Sequence, residues 1–272
     1  MKRASWAVVV MVTLCCSSSL EAAPVKVRMA EGNTRGFLVV RTMDGKPLGH
    51  GEQAQWFTGG LVHGHLTLNF ADGSLWDEHV TYSQNAVFRL EAFRHVQRGP
   101  SFPTCEVSLD RRSGRFQART QDKKGDEVKE ASGKFDMPAD LYNGMALALL
   151  KNSAPGAGVS GQMAIFTPKP RLIKMELLHE GDDTVRVGPI TKTAWRYLIK
   201  LEIGGLTGVL ASLVGKDPPD LRYWLIAGDV PAFARFQGAM YLNGPVWRIE
   251  LTPVEWRKEV RLLSVRPQRH GR

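Results

Sequence analysis

Short apolar segments separated by strong turn formers fill residues 195 to 251, and two of these segments alternate between apolar and charged residues. In the first, the apolar positions are Tyr197, Ile199, Leu201 and Ile203, and the charged positions between them are Arg196, Lys200 and Glu202. In the second, Trp247, Ile249 and Leu251 alternate with Arg248 and Glu250. Because side chains alternate across a strand, this pattern predicts antiparallel strands with one buried and one solvated face.

The N-terminal part has the same pattern, in the segments GFLVVRTM, EQAQWF, LVHGHLTLNF, LWDEHVTYS and AVFRLEAFRHV. Asp44-Gly45 and Asp72-Gly73 lie between segments, where hairpin turns belong. We predict a meander of about five strands, followed by three more between residues 105 and 135. A further hairpin is expected around Asp182-Asp183.

One segment predicts a helix, from Pro138 to Lys151. Pro138 suits a first helical turn, and Lys151 complements the negative end of the helix dipole. Residues 145–150 are apolar on every side, which is typical of an enclosed helix, although contact with lipid is an alternative. The apolar faces of the strands carrying Tyr197 and Trp247 are the expected enclosure. The fold class predicted is mainly β (α+β), a curved antiparallel sheet or half-barrel wrapped around one buried apolar helix.

The chain ends bound the domain organisation. Lys2 and Arg3 precede an apolar run that is too short to cross a bilayer, and small residues follow, so we predict a secretory signal peptide over residues 1–22. Residues 23–253 are expected to form a single two-lobed β-rich domain with a seam near 152–161, and residues 254–272 a basic tail. The protein is therefore expected to be periplasmic or secreted, with no transmembrane segment in the mature chain.

Cysteine and charge narrow the possible partners. Of three cysteines only Cys105 lies outside the predicted signal peptide, so no intramolecular disulfide is expected, and burial of Cys105 is favoured. The net charge is +9, and residues 254–272 hold six Lys or Arg against two Glu. A basic tail could contact an anionic envelope surface, or it could simply be solvated. Nucleic-acid binding is not expected, because no recognition motif accompanies the charge.

Four histidines are the main candidates for chemistry. His63 and His65 lie two residues apart on a predicted strand and so face one side, and the same alternation places His79 and His95 on the polar sides of the next strands. If these strands are neighbours, the four side chains could bind zinc or another transition metal. The pattern His-x-His on the polar side of a strand is more often an ordinary solvated face. No cofactor is otherwise predicted.

Other catalytic signatures are absent. The sequence has no nucleophile elbow, phosphate-binding glycine loop or His-Glu-x-x-His motif. Nothing in the sequence selects Asp77, Glu78 or Glu91 as an acid or base. Whether the chain is an enzyme stays open, with a non-enzymatic role favoured.

Aromatic and apolar residues near the C-terminal end suggest a second kind of site. A curved sheet lined with such rings can hold an apolar ligand, although an ordinary β core uses the same residues. The candidate ligand-binding residues are Leu147, Tyr197, Trp224, Phe236 and Trp247.

Several stretches resemble a family of uncharacterised exported bacterial proteins, among them FADGSLWDEHVTYSQ, FRHVQRGPSFP, PADLYNGMALALLKN and IGGLTGVLASLVGKDPPDLRYWL. The resemblance covers nearly the whole chain up to Leu251, and it implies export and a single intact unit. No activity comes with it. A curved sheet around an apolar helix is also similar, at the level of architecture, to the periplasmic carriers of lipoproteins.

The function we expect is therefore non-enzymatic binding or carriage of an apolar or amphiphilic envelope molecule. One alternative is a metal-dependent hydrolase that uses His63, His65, His79 and His95. A second is an envelope-interaction protein that acts through its basic C-terminal tail.

Overall fold

The structure is a computed structural model, and it describes residues 24–123, 125–153, 158–202 and 220–253. The predicted signal peptide and the basic tail lie outside these residues. The described chain forms fourteen strands and one helix. The elements are β1 Thr34–Arg41, β2 Pro47–Thr58, β3 Leu61–Phe70, β4 Leu75–Gln84, β5 Phe88–Arg98, β6 Thr104–Asp110, β7 Arg115–Gln121, β8 Lys129–Lys134, α1 Ala146–Asn152, β9 Val159–Phe166, β10 Pro170–Val187, β11 Ile190–Glu202, β12 Leu221–Ile226, β13 Ala232–Ala239 and β14 Val246–Thr252.

All fourteen strands belong to one antiparallel sheet, in the order β8-β7-β6-β5-β4-β3-β2-β1-β14-β13-β12-β11-β10-β9. The first eight strands therefore form one arm and the last six the other. The two arms meet where β1 pairs with β14, through contacts such as Leu38 opposite Leu251. Strands β8 and β9 end the sheet, which curves without closing into a barrel. This confirms the predicted fold class.

The main core lies between the two arms and surrounds the helix. Buried side chains from β3 to β7 and from β9 to β12 form one cluster with α1, including Phe93, Leu109 and Tyr197. Leu149 and Leu150 of the helix are fully buried in it. A second cluster lies around β1 and β14 and contains Trp247 and Ile249. The predicted enclosure of the helix is thus divided: Tyr197 packs in the helix cluster, whereas Trp247 packs in the other.

The helix is shorter than its sequence predicts. It begins at Ala146, and residues 138–145 form turns and a short bridge in which Leu141 pairs with Gln162 of β9. Here Tyr142 donates its backbone N–H to Gln162, and the Asn143 side chain both donates to and accepts from the backbone of Ala164. These contacts compete with helical hydrogen bonds and cover the exposed edge of β9. Helix propensity was therefore overridden by sheet-edge pairing.

The hairpin expected at Asp182-Asp183 is also absent, because β10 continues through these residues to Val187. A β-bulge between His179 and Gly181 shifts the register of β10 on β11. Side chains on β11 and β12 bind the acidic residues of β10. Glu180 accepts hydrogen bonds from Arg196 on β11 and from Arg222 on β12. Asp183 accepts one from the indole N–H of Trp224. The run of acidic residues is thus stable within a strand.

The segment that precedes β1 is tied to the helix. The side chain of Asn152 accepts hydrogen bonds from the backbone of Arg28 and Met29. Lys151 forms a 2.8 Å ion pair with Glu31, and both side chains are buried. This contact fixes the end of α1 against the N-terminal arm. Among the described residues, no helix is long and apolar enough to cross a membrane.

Candidate functional site

An apolar cavity of about 260 Å³ lies between the helix cluster and the second cluster. One wall is formed by α1 and the turn before it, through Met145 and Leu147. The opposite wall comes from β13 and β14, through Phe236 and Ile249. The cavity exists because the short helix fills only part of the space enclosed by the two arms. An engineered cavity of 150 Å³ is known to hold benzene, so this one has room for roughly ten non-hydrogen atoms.

Several polar side chains interrupt the apolar lining, among them Gln55 and His65. The carboxyl of Glu78 and the hydroxyl of Tyr223 border the cavity, as does Trp76, whose indole nitrogen is buried without a hydrogen-bond partner in the described chain. Glu78 lies beside the turn that leads into α1: a Cβ on Gly144, which has φ of +72°, would come within 3.2 Å of Glu78 Oε1. Polar groups in an apolar cavity fix the orientation of a ligand.

Burial raises the pKa of Glu78 to about 7 from an ordinary value of 4.5. Among the described residues, no hydrogen bond or positive charge offsets this cost. Glu78 keeps some accessible surface and is one of the residues that line the cavity. Burial, together with the nearby Glu78, also raises the pKa of Tyr223. At neutral pH Glu78 is therefore divided between a neutral hydrogen-bond donor and an unpaired carboxylate.

Two of the five candidate ligand residues line this cavity. Leu147 and Phe236 do so, from opposite walls. Tyr197 is buried in the helix cluster, and Trp247 packs against Phe70 and Phe102 in the second cluster. Trp224 belongs to a third, small cluster with Val185. The aromatic residues are therefore divided among three packing environments.

The structure brings together two of the four candidate metal-binding histidines. His65 on β3 lies directly opposite His79 on β4, and their rings stack with centroids 4.0 Å apart. Asp77, two residues before His79, lies on the same outward face. Its Oδ1 is 2.7 Å from His65 Nε2, and its Oδ2 is 3.3 Å from His79 Nε2. One ligand atom from each of the three residues lies within 4.8 Å of the others.

The charges around Asp77 favour its ionised form. Burial opposes ionisation, but the hydrogen bond from His65 and the charges of His79, His65 and Arg94 lower the pKa of Asp77 below its ordinary value. Burial and the neighbouring His65 lower the pKa of His79. The cluster is thus a carboxylate surrounded by nitrogen groups.

The other two histidines take different positions. His63 lies on the same face as His65, but its ring is 3.2 Å from the Thr81 hydroxyl and stacks on Trp56. His95 lies on the opposite, inward face, where its ring packs against Trp76 at an interplanar angle of 54° and forms a hydrogen bond with the side chain of Gln97. Burial there lowers the pKa of His95 to about 4.

A β-bulge explains why His95 departs from the predicted face. Tyr82 pairs with Leu90 and Thr81 with Ala92, so Glu91 is an extra residue in β5. One extra residue reverses the faces of all the following side chains. His95 therefore points inward, and Arg94 takes the outward position opposite His79.

A larger depression of about 420 Å³ lies across β5 to β8. It is more open than the cavity, and its lining includes Glu106 and the ion-paired Arg119 and Glu130. Paired charges on an open sheet face provide no enclosure for an apolar ligand. The smaller apolar cavity is therefore the stronger candidate for binding.

Sequence reasoning missed Glu78 and Tyr223 as cavity groups. The signal that could have found Glu78 is its alternation with Trp76 and Val80, which places a carboxylate on the apolar face of β4.

Comparisons with known proteins leave the function open. No family model matches the chain, and no curated protein matches it. The crystal structure of a β-barrel-like protein of domain of unknown function DUF1849 from Brucella abortus aligns with a TM-score of 0.39 and 11% identity, over 82% of this chain and 97% of that chain. A TM-score at this level carries no argument about function.

Proposed function

We propose that this protein is an exported, non-enzymatic binder or carrier of an apolar or amphiphilic envelope molecule. The observation that supports this function is the cavity between α1 and the sheet, which has apolar walls on both sides. A fully packed core would leave no space of this size, since native interiors contain few voids larger than a water molecule. Periplasmic or secreted localisation comes from the N-terminal sequence pattern and is part of the proposal.

The polar groups favour an amphiphilic ligand over a plain hydrocarbon. Glu78 and Tyr223 border a cavity whose apolar walls include Leu147, Phe236 and Ile249. A ligand with a polar end could satisfy the buried indole nitrogen of Trp76 and hydrogen-bond the carboxyl of Glu78, while its apolar part contacts the other walls. The volume fits one acyl chain segment rather than a whole multi-chain lipid.

Native mass spectrometry tests this proposal directly. The full chain is expressed with its own N-terminal sequence, purified without detergent and sprayed intact, and bound molecules are identified after organic extraction. We expect a retained species with an apolar chain and one polar group. Protein that carries no such molecule, and that takes up none from an added lipid extract of the same cells, would contradict the proposal.

The two alternatives have less support. The hydrolase hypothesis required four histidines on one face, whereas His95 lies on the other face. Contact with an anionic envelope surface rests on the charge of residues 254–272, which lie outside the described chain. It predicts salt-sensitive retention on anionic vesicles that is lost when the chain is truncated after Pro253.

A further inference from the structure

The side chains of His65, Asp77 and His79 converge on the outward face of the sheet, although His65 is also one of the residues that border the proposed ligand cavity. These side chains belong to the outward face of β3 and β4, whereas the cavity lies on the inward face of the same strands, with Glu78 and Val80. The cavity therefore does not explain why two imidazoles and a carboxylate converge.

The backbone holds the three groups together. His65 and His79 are direct cross-strand partners, and Asp77 lies two residues from His79 on the same side of β4. The stacked rings are nearly parallel, with an interplanar angle of 12°. Each ring places its Nε2 toward Asp77, so the two nitrogens are directed at one region of space.

We propose that His65, Asp77 and His79 form a binding site for a divalent transition-metal ion, such as zinc, nickel or copper. Imidazole nitrogen with one carboxylate is a donor set that these ions prefer. Three protein ligands leave at least one coordination position for water or another molecule.

The distances are compatible with coordination after a small adjustment. In a tetrahedral site with metal–ligand distances of about 2.1 Å, neighbouring ligand atoms lie roughly 3.4 Å apart. The contact from His79 Nε2 to Asp77 Oδ2 is already 3.3 Å, whereas the contact from His65 Nε2 is 2.7 Å and reaches the other oxygen, Oδ1. Ligand atoms of the three residues lie within 4.8 Å of one another, so coordination would require the Asp77 carboxylate to rotate and the two rings to adjust. The metal would replace the N–H protons that now lie between nitrogen and oxygen.

Arg94 opposes metal binding and so provides a diagnostic test. Its Nη1 lies 3.4 Å from Asp77 Oδ2, so it competes with a cation for the same carboxylate. If the cluster is a metal site, Arg94→Ala should strengthen binding. If the cluster is only a surface ion-pair network, Arg94→Ala has no metal affinity to change.

The experiment is a titration of the untagged, EDTA-stripped full chain with Zn²⁺ by calorimetry, repeated with Co²⁺ by visible absorption. We expect one equivalent to bind and Co²⁺ to give absorption bands of a low-coordinate site. His65→Ala and His79→Ala should each weaken binding by at least about tenfold, because loss of even an outer-shell partner costs 10- to 100-fold. Asp77→Asn, which preserves the shape of the side chain, should also weaken it.

His63→Ala is the matched control. His63 lies on the same strand and face, but it pairs with Thr81 rather than Asp77. This variant should retain one equivalent at unchanged affinity, and thermal unfolding should confirm that every variant is folded. Wild-type protein that binds no stoichiometric metal would overturn the site. So would equal loss in His63→Ala and His65→Ala, or unchanged binding in His65→Ala and His79→Ala.

Discussion

Replacing Glu78 by glutamine should remove a pH-dependent loss of stability. Glutamine has nearly the same shape as a protonated glutamate and cannot ionise. The carboxyl borders an apolar cavity, and no described residue offers it a positive charge or a hydrogen bond. The wild-type protein must therefore either keep this carboxyl protonated or hold an unpaired charge.

The direction of the change in stability with pH follows from the pKa of Glu78 in the folded and in the unfolded state. The pKa of Glu78 is about 7 in the folded protein and near 4.5 when the chain is unfolded. Between these values the folded state holds a proton that the unfolded state has lost, so stability falls as the pH rises through this window. The difference corresponds to about 3 kcal/mol at about 1.4 kcal/mol per tenfold change. Water that enters the cavity would reduce this to about 1–2 kcal/mol.

Urea denaturation of wild type and Glu78→Gln at pH 4 and pH 8 measures the effect. The two proteins should have similar free energies of unfolding at pH 4, where Glu78 is neutral in the folded state and mostly neutral in the unfolded state. At pH 8 the variant should be more stable by about 1–3 kcal/mol. Glu106→Gln, which removes a carboxylate away from the cavity, is the matched control for the substitution itself. Equal pH dependence in wild type and Glu78→Gln would refute the argument that the cavity isolates this carboxyl from solvent.

Three further predictions concern other buried groups. Lys151→Met should lower the free energy of unfolding by about 3–5 kcal/mol because it leaves the buried Glu31 unpaired. In a double-mutant cycle, adding Glu31→Met should restore most of this loss, whereas additive losses would contradict the prediction. Burial lowers the pKa of His95 to about 4 from 6.5, so the stability of the wild-type protein should fall as the pH drops from 6.5 toward 4. His95→Gln should reduce this fall when the free energy of unfolding is measured by urea denaturation across the same pH range. An unchanged fall would contradict the burial of a neutral His95. Burial raises the pKa of the Cys105 thiol to about 11 from 9. Alkylation by iodoacetamide, followed by mass spectrometry, should therefore be about a hundredfold slower in folded than in urea-unfolded protein. Equal rates would show that the thiol is exposed.

The sequence predicted the sheet because its signal is local. Alternation at Tyr197 and Ile199 and at Trp247 and Ile249 requires one buried face, and all four side chains are buried in the structure. The turns at Gly45 and Gly73 were predicted for a similar reason, since both glycines adopt positive φ. Strand identity and the dominant fold class therefore follow from spacing and turn chemistry alone.

Features that depend on partners distant in sequence could not be predicted. The extra residue Glu91 reverses the face of His95, and no local pattern marks which residue of a strand will bulge. The helix begins at Ala146 rather than Pro138, because residues 140–143 pair with β9 about twenty positions later. The Asp182-Asp183 pattern favours a turn, and only the partners of Asp183 on β11 and β12 explain why these residues lie within a strand.

In the candidate sites too, local sequence patterns predict some features, and residues distant in the sequence determine the others. Alternation placed His65, Asp77 and His79 on one side of two strands, but only the register of β3 on β4 determines that they converge. The cavity required more, since it lies between two side-chain clusters contributed by both arms of the sheet. Of the five proposed ligand residues, Leu147 and Phe236 border it, and no feature of the sequence distinguished them from the three that do not.

Filling the cavity beside α1 with a larger side chain shows whether this cavity binds an apolar chain. A slim, naturally fluorescent polyene fatty acid is titrated into wild type, Leu147→Trp and Leu172→Trp, with far-ultraviolet circular dichroism to confirm folding. Leu147 borders the cavity, whereas Leu172 is exposed on β10 and does not. We predict saturable binding at equal affinity to wild type and Leu172→Trp, and at least about tenfold weaker binding to Leu147→Trp. Saturable binding that is unchanged in Leu147→Trp, or no saturable binding to wild type, would contradict the account.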